Sequence, residues 1–249
     1  MARCSRKDSL NKAGENMSAT IQIKPVGDCA ALAVCGSTIS PEVGALVSAL
    51  NEALRGAAIP GLGETVPAFA SLLVHYDPLV TDYDAVREAL LSIGNSLSAS
   101  TAGSGKTVEL PVCYGGGYGA DLLFVAEHAG MSTDEVIALH AGRPYRIYML
   151  GFLPGFPYLG GLDERLFTPR LQNPRTKIPA GSVGIGGEQT GVYPLDSPGG
   201  WQLLGRTPMR LFDPQNGGRL LYAAGDSIRF VPINEDEYIR IGREQGTVG

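Results

Sequence analysis

The chain is short of the side chains that usually carry metal, disulfide or nucleophilic chemistry. Its 249 residues include three histidines and four cysteines, and Cys4, Cys29, Cys35 and Cys113 form no CxxC pair and have no clustered histidine. Neither a structural zinc module nor a disulfide framework is expected, and a reduced cytoplasmic protein without a metal fits best. HExxH and GxSxG are absent, and His75, His128 and His140 neighbour no serine or cysteine in a nucleophile motif. No catalytic residue is evident, and a self-contained hydrolase is hard to assemble. Long apolar runs are missing too, since nothing approaches the roughly eighteen residues of a membrane-crossing helix. The opening MARCSRKDSLNKAGEN lacks the apolar core of a signal peptide, and residues 1–17 read as a disordered tail. With 20 Lys+Arg against 25 Asp+Glu the net charge is −5, and no basic stripe is interleaved with aromatics, which argues against nucleic acid as a partner.

Glycine, in contrast, is abundant: 34 residues, about twice the usual share. It concentrates between Gly151 and Pro208, where Gly155, Gly181, Gly199, Gly200 and their neighbours alternate with short apolar runs, as in short strands joined by shaped loops. Any one of these glycines also suits a β-barrel corner, so the cluster says more than its members. Here glycine lets backbone amides approach a ligand, Pro154 and Pro179 stiffen the loops, and Phe152, Phe156, Tyr158, Tyr193 and Trp201 offer apolar walls. Ser182, Gln189, Thr190 and Ser197 offer neutral hydrogen bonds, while Arg170, Arg175, Lys177 and Arg206 offer positive charge. Such a set suits a small carboxylate or phosphorylated ligand. Arg206, inside SPGGWQLLGRTP, is the cation most expected to touch it.

Along the chain, TIQIKPVG and AALAVCG read as strands, and a helix follows from a Ser40 cap until Gly56. ETVPAF and SLLVHYD are two further strands, and DYDAVREALLSIG is a second helix. The order ββαββα over residues 18–95 suggests a small α+β domain with helices on one side of a mostly antiparallel sheet. Residues 96–105 are small and polar and read as a linker. The linker ends in GSGKT, yet Ser100 stands where a P-loop needs its first glycine, and a strand rather than a helix follows. From 106 to 249, two helices (ADLLFVAEHAG and STDEVIALHAG), many short strands including MRLFD and RLLYAAG, and a closing helix suggest a mainly-β barrel domain. His128 and His140 fall near helix C-termini, where an imidazolium complements the dipole, and His75 falls mid-strand as a half-buried residue.

The motifs GFLPGFPYLGGL, PAGSVGI, QTGVYP and SPGGWQLLGRTP resemble those of the allophanate hydrolase subunit 1 proteins, a carboxyltransferase-domain family also described as the B-type subunit of 5-oxoprolinase and as the Kip-type kinase inhibitor. The likeness runs from about residue 18 to the end of the chain. It implies that the barrel is cyclophilin-like. It also implies a component of an ATP-dependent 5-oxoprolinase, opening 5-oxoproline to glutamate together with a second carboxyltransferase-like subunit of the C type and a separate subunit of the A type. Because the chain has no nucleotide motif of its own, the ATP site is expected to be completed by a partner. The alternatives within the resemblance are carboxyl transfer of the urea-carboxylase type, with a biotin-bearing partner, and inhibition of a sensor histidine kinase.

Overall fold

The computed structural model describes residues 21–38, 40–97 and 105–248, so the expected tail and most of the expected linker lie outside the described residues. The first sheet is antiparallel. Its strands β1 (Gln22–Val26), β2 (Ala30–Val34), β3 (Leu62–Pro67) and β4 (Ser71–Tyr76) run in the order β1-β2-β4-β3. Alternation along β2 and β4 places Ala31, Ala33, Leu72 and Val74 on one face, against α1 (Pro41–Ala57) and α2 (Tyr83–Ser96). Both helices start as their sequences dictate: Ser40 accepts from the Val43 amide and Asp82 from the Ala85 amide. The first passes Gly56 and ends at Ala57, because Ala58 takes the left-handed conformation, with φ 44°. Val47, Leu50, Leu54, Val86 and Leu90 complete this core. His75 is exposed rather than half-buried, since it lies on the face of β4 away from the helices.

The second sheet carries the glycine-rich stretch. Its seven strands are β5 (Thr107–Tyr114), β6 (Tyr145–Leu150), β7 (Pro157–Gly160), β9 (Ser182–Gly186), β10 (Gln189–Val192), β12 (Gln202–Arg206) and β15 (Ser227–Ile233). They are ordered β10-β9-β12-β5-β15-β6-β7, and β10 packs back against β7, so the sheet curls into a nearly closed barrel. All pairs are antiparallel except β5 with β15. Two two-stranded ribbons flank it, β8 (Arg175–Ile178) with β11 (Ser197–Gly199), and β13 (Phe212–Asp213) with β14 (Arg219–Leu220). The latter is all that MRLFD and RLLYAAG form. The turn between them, closed by Gly217 and Gly218 at positive φ, leaves only two residues a side to pair. Helices α3 (Leu122–Ala129), α4 (Thr133–Ala141) and α5 (Glu235–Gln245) complete the chain, and Ser132 and Glu135 form a reciprocal capping box at the start of α4. Among the described residues no helix is long and apolar enough to cross a membrane.

His140 corrects one expectation. Its side chain is 0% exposed and stacks on Phe230 at 4.7 Å between ring centroids, inside the barrel core formed by Leu110, Ile147, Leu204 and Ile228. The Thr190 hydroxyl donates to the Gly184 carbonyl at 3.1 Å, so it accepts from His140 Nε2 at 2.7 Å. Nδ1 then accepts from the Tyr114 hydroxyl at 2.8 Å. Burial holds this imidazole neutral by pushing its pKa down to about 3, so it does not serve as a dipole-complementing cation. The sign of the consequence is fixed. Unfolding frees a ring that takes up a proton near pH 6.5, so from there down to about pH 3 the unfolded chain binds more protons and stability falls as pH falls. Urea unfolding followed between pH 7 and 4 should show a slope steeper by up to one proton, about 1.4 kcal/mol per pH unit, in the wild type than in His140→Gln. Parallel slopes would mean that the imidazole is not buried neutral.

Candidate functional site

Between β6 and β7 the chain turns through Gly151 to Phe156. The Leu153 amide donates to the Gly151 carbonyl at 2.7 Å, which closes a γ-turn around Phe152 and forces that residue to φ 62°. A bulky side chain rarely adopts this conformation, and Phe152 is also 64% exposed. Gly155 follows at φ 80°, with its carbonyl held by the Tyr222 hydroxyl at 2.9 Å. The turn thereby delivers Phe156 into the barrel wall, where it is 2% exposed and meets four aromatic rings at steep angles. Those rings are Phe152 at 5.6 Å, Tyr158 at 5.3 Å, Tyr193 at 5.3 Å and Trp201 at 5.6 Å between centroids.

These aromatics enclose a pocket of about 120 Å³ that is completed by Gly199, Gly200 and Arg170. The Arg170 guanidinium stands 5.8 Å from the centroid of the Trp201 ring and makes no hydrogen bond or ion pair with the described residues. Two glycines are explained by aromatic packing rather than by ligand approach. A Cβ on Gly186 would lie 2.3 Å from Trp201 Nε1, and one on Gly199 would lie 2.7 Å from the Tyr193 hydroxyl. The pocket floor is fastened by a residue that sequence reasoning did not single out. Asp121, just before α3, accepts from Arg175 Nη2 at 2.7 and 2.9 Å and from the Leu203 amide at 2.7 Å, while Arg175 Nη1 donates to the Trp201 carbonyl at 3.2 Å. One carboxylate thus joins α3, β8 and the start of β12 on either side of Trp201.

The other expected site residues lie elsewhere. Gln189 lines a neighbouring groove of about 490 Å³ with Phe69, Gly160, Gly161, Gly186 and Gly187, and Arg170 borders both cavities. Arg206 donates through Nε to the Ala180 carbonyl at 2.9 Å and, with Gly181, Asp196 and Arg210, lines a separate cleft of about 420 Å³. Thr190 is committed to His140, Ser182 is buried within β9, and Ser197 is buried with its Oγ unpartnered among the described residues. Pro154 is exposed, and Pro179 is half-buried, its carbonyl accepting from the Ser182 amide at 3.2 Å. Burial pushes the Tyr193 phenol up to about 12, against the pull of Arg170 and Arg175. Among the described residues no group of three or more His, Cys, Asp or Glu is placed to hold a metal ion.

Because Asp121 fastens the strand that begins directly after the chain's one tryptophan, Trp201 fluorescence reports the clamp. Asp121→Asn should lower stability by about 1.5–3 kcal/mol, the range for hydrogen bonds to charged groups, and should shift Trp201 emission to longer wavelength. Unchanged melting and emission would show that the pair does not hold the pocket floor.

Comparison with known proteins supplies relatives for this arrangement. The carboxyltransferase domain, subdomain C and D, is matched by residues 21–221. The B-type subunit of 5-oxoprolinase from Bacillus subtilis (strain 168) is 42% identical over 236 residues, which cover 89% of this chain and 97% of that protein. Its counterpart of the same name from Escherichia coli O157:H7 is 57% identical over 128 residues, 51% of this chain and 59% of that one. Among solved structures, the K. lactis urea amidolyase superposes with a TM-score of 0.78 at 19% identity, over 96% of this chain and 16% of that chain, a likeness of fold alone. With most of its length matched, from the first sheet through the aromatic pocket, the chain belongs to the carboxyltransferase domain family, subdomain C and D.

Proposed function

We propose that this chain is the B-type subunit of a cytoplasmic, ATP-dependent 5-oxoprolinase, and that the aromatic pocket seats the 5-oxoproline ring. The observation that carries the reading is the pairing of edge-on aromatic walls with one uncommitted guanidinium. At about 120 Å³ the pocket is smaller than the ~300–1,000 Å³ of drug-sized sites and matches a single small ring. 5-Oxoproline is a flat lactam bearing a carboxylate. Phe156, Tyr193 and Trp201 cover its apolar edge, and Arg170 pairs with the carboxylate. The neighbouring cations are already engaged: Arg175 by Asp121, Lys177 by Asp196 at 2.9 Å, Arg143 and Arg165 by Asp163, and Arg206 by the Ala180 carbonyl. Arg170 is therefore the cation we assign to the substrate.

The lactam is resonance-stabilised and needs activation before water can open it, the chemistry that a phosphoryl group from ATP supplies. The stretch at Lys106 and Thr107 does not fit a triphosphate. Lys106, the lysine of GSGKT, donates through Nζ to the Leu221 carbonyl at 3.2 Å, and Thr107 opens a strand instead of a helix that would aim its N-terminus at phosphate. We assign ATP to partner subunits of the C and A types, and to this chain the binding, orientation and desolvation of the ring. Carboxyl transfer with a biotin-bearing partner and inhibition of a sensor histidine kinase are the competing outcomes.

Mixing the chain with its partner subunits should give ATP-dependent release of glutamate from 5-oxoproline, and the chain by itself should give none. Arg170→Ala should lower kcat/KM of the complex by roughly 10- to 150-fold through a raised KM, the equivalent of losing one charge-assisted contact of about 1.5–3 kcal/mol. Melting should be unchanged because the side chain is exposed, and Arg170→Lys should restore part of the loss. Full activity of Arg170→Ala would remove this pocket from the reaction. Turnover only with a biotin-bearing partner, or tight binding to a kinase dimerisation domain without turnover, would sink the assignment.

A further inference from the structure

Tyr193 follows directly after β10 and is held tightly. The residue is 2% exposed, and its backbone is fully engaged: the amide donates to the Ser182 carbonyl at 2.9 Å and the carbonyl accepts from the Gly181 amide at 2.7 Å. Its ring is wedged between Phe156 at 5.3 Å and Trp201 at 6.0 Å. Yet its hydroxyl makes no hydrogen bond with the described residues, although the side chain lines the pocket. In the main barrel core the hydroxyls of Tyr114, Tyr145 and Tyr222 each meet an acceptor or donor, at 2.7 to 2.9 Å. The Tyr193 hydroxyl is not sealed from solvent, and on the cavity that its side chain lines it is left free to donate to a ligand. The Cβ position of Gly199 lies 2.7 Å from the hydroxyl, so any larger residue there would displace it. Two residues before Gly199, Ser197 Oγ is a fully buried hydroxyl with no partner among the described residues.

We propose that the Tyr193 hydroxyl donates a hydrogen bond to the ring carbonyl oxygen of the lactam and so holds that oxygen in the one orientation in which it can be activated; this rests on the assignment of the pocket to 5-oxoproline. The carbonyl and the carboxylate of this substrate sit on the two carbons that flank its ring nitrogen. A donor at one end and Arg170 at the other would therefore fix the ring in a single orientation. The phenol suits the role. Burial keeps it protonated well above neutral pH, so it acts as a donor and never as a base. It also projects from a packed cluster of edge-on rings, so the donor is aimed before the lactam arrives.

The test separates this role from the pocket assignment. In the reconstituted complex, Tyr193→Phe should keep the ring packing and the melting temperature, lower kcat for 5-oxoproline by about 10- to 100-fold, and leave KM within about threefold, whereas Arg170→Ala acts on KM. Cyclopentanecarboxylate, which has the carboxylate but no carbonyl, serves as a competitive probe. Its inhibition constant should be unchanged in Tyr193→Phe and raised in Arg170→Ala. Wild-type kcat in Tyr193→Phe alongside an impaired Arg170→Ala overturns the hydroxyl's role and leaves the pocket standing. Equal weakening of cyclopentanecarboxylate by Tyr193→Phe means that the ring acts through the fold, which overturns the role as well. Wild-type behaviour of both variants moves the chemistry out of the pocket and overturns both readings.

Discussion

The Asp121 carboxylate is the contact on which the pocket depends. Its oxygens receive Arg175 from β8 and the Leu203 amide from β12, and Arg175 in turn holds the Trp201 carbonyl. The side chains are 14% and 29% exposed, so the pair is shielded enough to count and yet reaches water, which avoids the full desolvation cost of a buried pair. Three segments far apart in sequence are thereby held at one end of β12. Trp201 sits at the junction, and through it Phe156, Tyr193 and Arg170 take their places. Without the clamp, the aromatic rings would still prefer one another's edges, but nothing would fix their common centre against the barrel.

Around this fixed floor the chain places a strained backbone and a free hydrogen-bond donor. Phe152 is left-handed and exposed, a conformation worth of order 1–3 kcal/mol of strain, and the Tyr193 hydroxyl is unpartnered among the described residues. Both lie on the same pocket, whereas the neighbouring polar groups of the barrel core, His140, Thr190 and Tyr114, satisfy one another. Backbone strain at Phe152 and a free donor on Tyr193 meet at one cavity, where a ligand can engage both. That is the physical ground for reading this cavity, rather than the larger clefts, as the working site.

The sequence made the aromatic wall legible because it is local. The motifs around Phe152, Phe156, Tyr158, Tyr193 and Trp201 have compositions that turns alone do not require, and all five side chains line one pocket. It could not rank the cations. Arg170, Arg175, Lys177 and Arg206 look alike in a string, and only the fold reveals that Arg206 faces the Ala180 carbonyl while Arg170 faces Trp201. Asp121 was invisible for the same reason, since its partners are 54 and 82 residues away. His128 and His140 illustrate the limit at short range. Both close a helical pattern, yet one is exposed on α3 and the other is driven into the barrel because α4 packs on β15 and brings it against Phe230. The parallel pairing of β5 with β15, more than a hundred residues apart, carries no local signal at all.

The first sheet also has a part in the pocket. Phe69, in the loop between β3 and β4, sets its ring 5.4 Å from Tyr148 and 5.8 Å from Tyr158. Tyr158 is a pocket wall, and Phe69 itself borders the adjoining groove with Arg170. The first sheet therefore reaches the site through an aromatic relay rather than through a polar residue of its own. Aromatic edge contacts are short-ranged and lose strength quickly with separation, so the relay transmits position and little charge. Phe69 thus couples the β3–β4 loop to Tyr158, while Tyr193 is set by the backbone of the barrel. On this geometry the first sheet touches one wall of the pocket through Phe69, and the barrel builds its floor.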